Sequence, residues 1–179
     1  MNYRLDGVVL RRPEARDAED LYRQKNDPAV ANLLGGFSVG YSHADMLDWI
    51  DRHRAAANEV IWVIADPQTD CCLGHVGLYR IDHRIGSAEF GIMIGDKDAW
   101  GKGFGKLVTT FTIRYGFDML NLNRIELTVL CGNDRARRMY EELGFVVEGI
   151  MRQAQYKDGR YHDVAMMSML RAEFVRPKA

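Results

Sequence analysis

The sequence is poor in cysteine. Cys71, Cys72 and Cys131 are odd in number and lack metal-ligand spacing, so no metal site is expected and a reducing cytoplasm is the expected compartment. An excess of one charge is also missing. The formal net charge of −1 gives no general pull toward nucleic acid or an anionic membrane. No apolar run approaches the roughly 18 residues of a membrane span, and the opening residues do not read as a signal peptide. Internal repeats, low-complexity tracts and linkers are absent from the sequence as well. Two familiar phosphate-loop patterns fail on spacing. A nucleoside-triphosphate loop needs glycine and a hydroxyl residue where Trp100 and Leu107 stand. The dinucleotide pattern needs its third glycine where Lys106 stands, and an acidic residue about 20 positions onward at a strand end.

What is present is an ordinary globular composition, 47% hydrophobic and 27% charged, in 179 residues, the length of one domain with a substantial core. A single domain over 1–179 is therefore expected. The stretch 92–107 organises the rest. An apolar strand ending at Ile92, Met93 and Ile94 turns through Asp96, Lys97 and Asp98 into glycines at alternate positions, Gly101, Gly103 and Gly105. A helix follows, with Phe104, Leu107, Val108, Phe111, Tyr115 and Met119 as its expected inward face. Such a turn offers free backbone N–H groups and the positive end of a helix, without Cβ atoms to block approach. Lys102 and Lys106 add positive charge there, so a phosphate or pyrophosphate is the expected ligand.

Along the chain, residues 7–13 read as a strand closed by Pro13, and 15–25 as a helix with Ala18, Leu21 and Tyr22 inward. Asn26, Asp27 and Pro28 end it. The glycine-punctuated segment 29–42 carries Leu33, Leu34, Phe37 and Tyr41, too apolar for an idle linker. Ser42, with Asp45 at the capping-box offset, opens a helix bearing Met46, Leu47, Trp49, Ile50 and His53 on or near one face. Strands at 60–65, 73–80 and 87–94 form an expected antiparallel meander. Residues 124–130 alternate as a strand, 133–143 form a short helix ended by Gly144, and 145–156 and 162–170 form a hairpin. The class is α+β: a mixed, mostly antiparallel sheet of about seven strands flanked by about four helices.

The run Trp100-Gly101-Lys102-Gly103-Phe104-Gly105 resembles motif A of the GCN5-related N-acetyltransferases (GNAT). Asn133, Ala136, Tyr140 and Gly144-Phe145 resemble motif B of that family, at the expected offsets. The tail, with Glu148-Gly149, Arg152, Asp158-Gly159 and Asp163, looks like the branch that acetylates ribosomal-protein amino termini and other small amines. Trp100 departs from the Gln or Arg that opens motif A in many members, but backbone groups carry the anion.

The resemblance implies acetyl-coenzyme A as co-substrate, with no metal. Its pyrophosphate would lie on the N–H groups of residues 101–106. Its pantetheine would pair with the edge at Ile92, Met93 and Ile94, with Asn133 and Arg138 completing the cofactor set. Gly91 is either a bulge that splays the strands or a packing necessity. Tyr140 is the expected acid for the leaving thiolate, the alternative being a core tyrosine. Glu89 is the candidate base, the alternative being a carboxylate paired with Arg80 or His75. Cys131 reads as a buried thiol, not a nucleophile. Phe37, Tyr41, Trp49 and His75 are the candidate acceptor-binding residues, Phe37 belonging either to a lid or to the core. The acceptor is expected to be a peptide amino terminus or an amino sugar, with a polyamine or aminoglycoside as alternatives. A non-catalytic acyl-coenzyme A sensor is the alternative of another class. Nucleic acid and membrane are not expected partners, and a monomer or homodimer is the expected assembly.

Overall fold

The computed structural model describes residues 1–35 and 39–175. Eight strands form one sheet: β1 (Tyr3–Leu5), β2 (Val8–Arg11), β3 (Val60–Ala65), β4 (Cys72–Asp82), β5 (Ser87–Ile94), β6 (Arg124–Leu130), β7 (Val146–Lys157) and β8 (Arg160–Leu170). Their spatial order is β1-β2-β3-β4-β5-β6-β8-β7. The helices are α1 (Ala18–Lys25), α2 (Pro28–Ala31), α3 (His43–Ala55), α4 (Phe104–Asp118) and α5 (Asp134–Leu143). The α+β expectation holds, with β1 and the one-turn α2 added. β1 was illegible because three residues are too few for alternation to register.

Every neighbouring pair is antiparallel except β5 and β6, the parallel pair that α4 connects. That pairing covers only Ser87, Ala88 and Glu89 against Arg124, Ile125 and Glu126. From Phe90 onward the strands part, and this parting makes the site. From β3 to β5 both faces of the sheet are covered, and the period of two sorts the side chains between them. In β3, Trp62 and Ile64 pack toward α4, while Val63 and Ala65 pack toward α1 and α3. In β5, Phe90, Ile92 and Ile94 face α4 and α5, while Met93 is buried with Leu21, Met46 and Ile50 on the opposite face. Glu89 and Gly91 share Met93's face.

The local signals read from sequence recur in the geometry. Ser42 and Asp45 form a reciprocal capping box on α3, and Asn133 caps α5 by accepting from the Ala136 N–H. Gly144 closes α5 in the left-handed region, at φ 99°. In α4 the expected face holds except at Met119: Phe104, Leu107, Phe111 and Tyr115 pack partly buried against the core beside the buried Val108. The helix's fully buried stripe is Val108, Thr109, Thr112, Ile113, Gly116 and Phe117, whereas Met119 lies past the helix end and is 69% exposed. Small residues let the helix lie close on the sheet. The hydroxyls of Thr109 and Thr112 donate to the carbonyls of Gly105 and Val108, so both threonines bury without an unmet polar group. Phe111 and Tyr115 flank this stripe and meet Tyr3 and Trp62 in an aromatic cluster.

Candidate active site

A cleft of about 1110 Å³ runs along the parting of β5 and β6. One end lies at the turn into α4. Gly101 and Gly103 take φ values of 81° and 83°, a region costly to residues with a Cβ, and a Cβ on either would meet nothing within 4 Å. The open space there is on the cleft side, not filled by protein. The first bond of α4 runs from the Leu107 N–H to the Gly103 carbonyl. The N–H groups of Phe104, Gly105 and Lys106 therefore precede the helical ladder and have no intrahelical acceptor. Free donors, missing side chains and a helix start fit a pyrophosphate. The loop is tied to the strand edge by the Trp100 indole N–H, which donates to the Ile94 carbonyl at 2.8 Å.

The other cofactor candidates divide. Asn133, Phe104, Gly105 and Lys106 line the cleft, and Ile92, Met93 and Ile94 form its β5 wall. Lys106 is held by Glu142 at 2.8 Å, and Lys102 is exposed outside the lining, so neither points free charge into the cleft. Arg138 is exposed and lies on the face of α5 away from the cleft, about 200° round the helix from Ala136. Arg135 lines the cleft instead.

Tyr140 and Glu89 reach the parting from opposite faces of β5. Tyr140 is 7% exposed and packs edge-on against Phe90 and Phe145. Burial alone pushes its phenol well above the usual range, so its proton is held at neutral pH. Glu89 lies across from Tyr79 on β4 and pairs with Arg80. The pairing foreseen as its alternative is thus present, with Arg80 and not His75 as partner. Gly91 is in register with Gly77, so no bulge lies there. A Cβ at Gly91 would come within 3.0 Å of the Tyr79 ring, which is why the position has no side chain.

On the Glu89 face, His75 and Tyr79 line the cleft with their side chains 3.3 Å apart. Burial, helped by the charges of Lys25 and His53, pushes His75 down to about 3, so its ring is neutral at physiological pH. Tyr41 lines the same end, anchored by two backbone bonds to the Asn26 amide. Trp49 is set behind the lining, packed on His53 and His75 at 4.4 and 4.8 Å. Phe37 lies outside the described residues.

Lys25 was missed, although it continues the inward stripe of Ala18, Leu21 and Tyr22 at helical spacing. Its ammonium lies over the Trp49 ring at 4.4 Å and faces Tyr41 at 5.4 Å. No carboxylate pairs with it among the described residues. Burial is the first cause, and the charge of Arg52 the second, that lowers its pKa from 10.5 to about 8. The fold therefore prefers Lys25 neutral. Below about pH 8 both states carry the charge and the folded state bears the whole penalty, about 3 kcal/mol. Between about 8 and 10.5 the unfolded state binds more protons, so stability rises with pH. Lys25→Met should raise Tm at pH 7 and abolish that rise. A lower Tm in calorimetry, or an unchanged pH slope, would refute this.

A model of the acetyltransferase (GNAT) domain matches residues 8–146. The chain belongs to the GNAT family. This acetyltransferase is 33% identical over 169 residues to an uncharacterized N-acetyltransferase, p20, of Bacillus licheniformis, covering 93% of this chain and 94% of that one. It is 32% identical over 169 residues to a spermidine N(1)-acetyltransferase of Vibrio cholerae, covering 94% and 95%. A structure of the Vibrio cholerae spermidine N-acetyltransferase with CoA and spermine superposes at a TM-score of 0.86 and 30% identity, covering 94% of this chain and 98% of that one. The chain is thus an acetyl-CoA-dependent N-acetyltransferase, and the fit of the glycine turn to a pyrophosphate accords with its co-substrate. Among the described residues no cluster of ligating side chains could hold a metal ion, and no helix is long and apolar enough to cross a membrane.

Proposed function

We propose that this acetyltransferase acetylates a primary amine of a polyamine. The observation that carries the reading is its likeness, along 94% of its length, to an enzyme whose structure holds spermine. Two carboxylates at the acceptor end, Glu59 and Glu89, are suited to a multiply charged amine. An aliphatic polyamine also has methylene chain to bury against the apolar Leu33 and Leu34.

When bound, acetyl-CoA supplies an activated thioester carbonyl. Glu89, released from Arg80 as the acceptor ammonium arrives, takes a proton from it and leaves a neutral amine facing the parted strands. The amine nitrogen bonds to the carbonyl carbon, the carbon–sulfur bond breaks, Tyr140 passes its phenolic proton to the departing sulfur, and the excess proton on the acylated nitrogen returns to the Tyr140 phenolate, leaving a neutral amide. The turn 101–106 and the β5 edge fix the co-substrate so that attack takes place within one complex.

A second reading is favoured by Lys25. A half-buried ammonium whose partners among the described residues are aromatic would suit an acceptor that brings its own anion, such as an amino acid. A panel of spermidine, spermine, a monoamine, free amino acids, an amino sugar and a peptide amino terminus separates the readings. The polyamine reading expects kcat/KM at least about tenfold higher for spermidine than for the monoamine, from a second charged group in the site. Preference for carboxylate-bearing amines, lost in Lys25→Met, would replace it with the second reading.

A further inference from the structure

The segment from Ala31 to Gly35 lines the cleft, and three of its carbonyls, those of Ala31, Leu33 and Leu34, accept from distant side chains. The Lys157 ammonium, at the end of β7, donates to the carbonyls of both Ala31 and Leu34. Asn133, the cap of α5, spends its carbonyl oxygen on its own helix and donates its amide to the Leu33 carbonyl at 3.2 Å. Lys157 and Asn133 belong to elements on the far side of the parting, more than 100 residues along the chain in the lysine's case. The segment is therefore strapped across the cleft, not merely laid beside it. Ala31 is the last residue of α2, and its carbonyl accepts both from the Leu34 N–H and from this ammonium, so the lysine fastens a turn that the chain already closes. Burial lowers the Lys157 pKa, the mark of a charge partly withdrawn from water to make this contact.

We propose that Lys157 is a positioning residue: it clamps residues 31–35 over the cleft and so sets how tightly the acceptor is held and how readily the site opens. The carbonyls it gathers belong to the segment whose Leu33 and Leu34 line the cleft. Losing the clamp frees that wall without touching Tyr140, Glu89 or the turn at 101–106. Acetyl-CoA, seated on that turn and on β5, gains little from the clamp; the acceptor, seated under the segment, gains most. The inference rests on acetyl transfer to an amine and not on the polyamine class.

The test compares Lys157→Met and Lys157→Arg with the wild type, using spermidine and acetyl-CoA in steady-state assays and hydrogen exchange on the full chain. The N–H groups of Ala31, Asn32, Leu33 and Leu34 donate to the carbonyls of Asp27, Pro28, Val30 and Ala31, so their exchange reports the opening of this stretch. Lys157→Met should raise the spermidine KM about tenfold and speed exchange of these amides by a similar factor, the range for losing a charged hydrogen-bond donor. The acetyl-CoA KM should stay within about twofold, since no contact to that end changes. Lys157→Arg, which keeps charge and donors, should restore most of both effects. Unchanged exchange at these amides, or equal rises in both KM values, would overturn the clamp. If spermidine is not turned over, the polyamine reading fails, and the exchange measurement alone decides the clamp.

Discussion

Tyr140→Phe should lower kcat by about 10²–10⁴, the range for losing a positioned acid, while the acetyl-CoA KM barely changes. The ring packs edge-on against Phe90 and Phe145, and nothing but burial perturbs its hydroxyl. In the ground state it therefore contributes little that phenylalanine would not. Its expected value is confined to the moment the sulfur leaves as thiolate. A phenol pushed up by burial holds its proton until a strong base appears beside it, and a newly formed thiolate in a dry cleft is such a base. Removing a hydroxyl that makes no protein hydrogen bond should cost almost no stability, so Tm should stay within a few degrees. An unaltered kcat, measured with saturating acceptor, would return Tyr140 to the core.

Gly103→Asp should weaken acetyl-CoA binding about 100-fold or more, whereas Gly103→Asn should weaken it by less than about tenfold. The pair is chosen for the backbone. Gly103 sits at φ 83°, and Asp and Asn are among the few residues with side chains that visit this region. Space is open at the position, so both side chains fit. They differ in charge alone. A carboxylate beside the free N–H groups of residues 104–106 would accept their bonds itself and repel a pyrophosphate. Both variants should fold, because the turn's own bonds run through Trp100 and Leu107 and not through a side chain at 103.

The turn at 101–106 was legible because its chemistry is backbone chemistry, and alternate glycines announce backbone in the sequence. Caps such as Ser42 with Asp45, and Gly144 after α5, were legible for the same reason: each satisfies partners a few residues away. Illegible features depend on distant partners. Gly91 suggested a bulge, but only the arrival of the Tyr79 ring from β4 explains the missing side chain. Glu89 offered a base without disclosing that Arg80 holds it. Arg138 matched a helix without a known approach direction, and the structure presents Arg135 to the cleft instead. In α4 the threonines misled because their hydroxyls bond the preceding turn and then bury like apolar groups. Lys25 sat in view on an apolar stripe, as the last residue of a helix that Asn26, Asp27 and Pro28 end. Lys157 could not have been found, since its partners are set by how the β7–β8 hairpin folds back over the cleft.

The account turns on acetyl-CoA occupying the parting of β5 and β6 with its pyrophosphate on the glycine turn. Titrating acetyl-CoA into ¹⁵N-labelled wild-type protein, with Gly103→Asp as control, and following the backbone amides tests this most directly. The account predicts that the largest shifts fall on residues 101–106 and on Ile92–Ile94, saturate together, and vanish in Gly103→Asp. Saturable binding that leaves the amides of residues 101–106 unmoved, or that survives unchanged in Gly103→Asp, would contradict it.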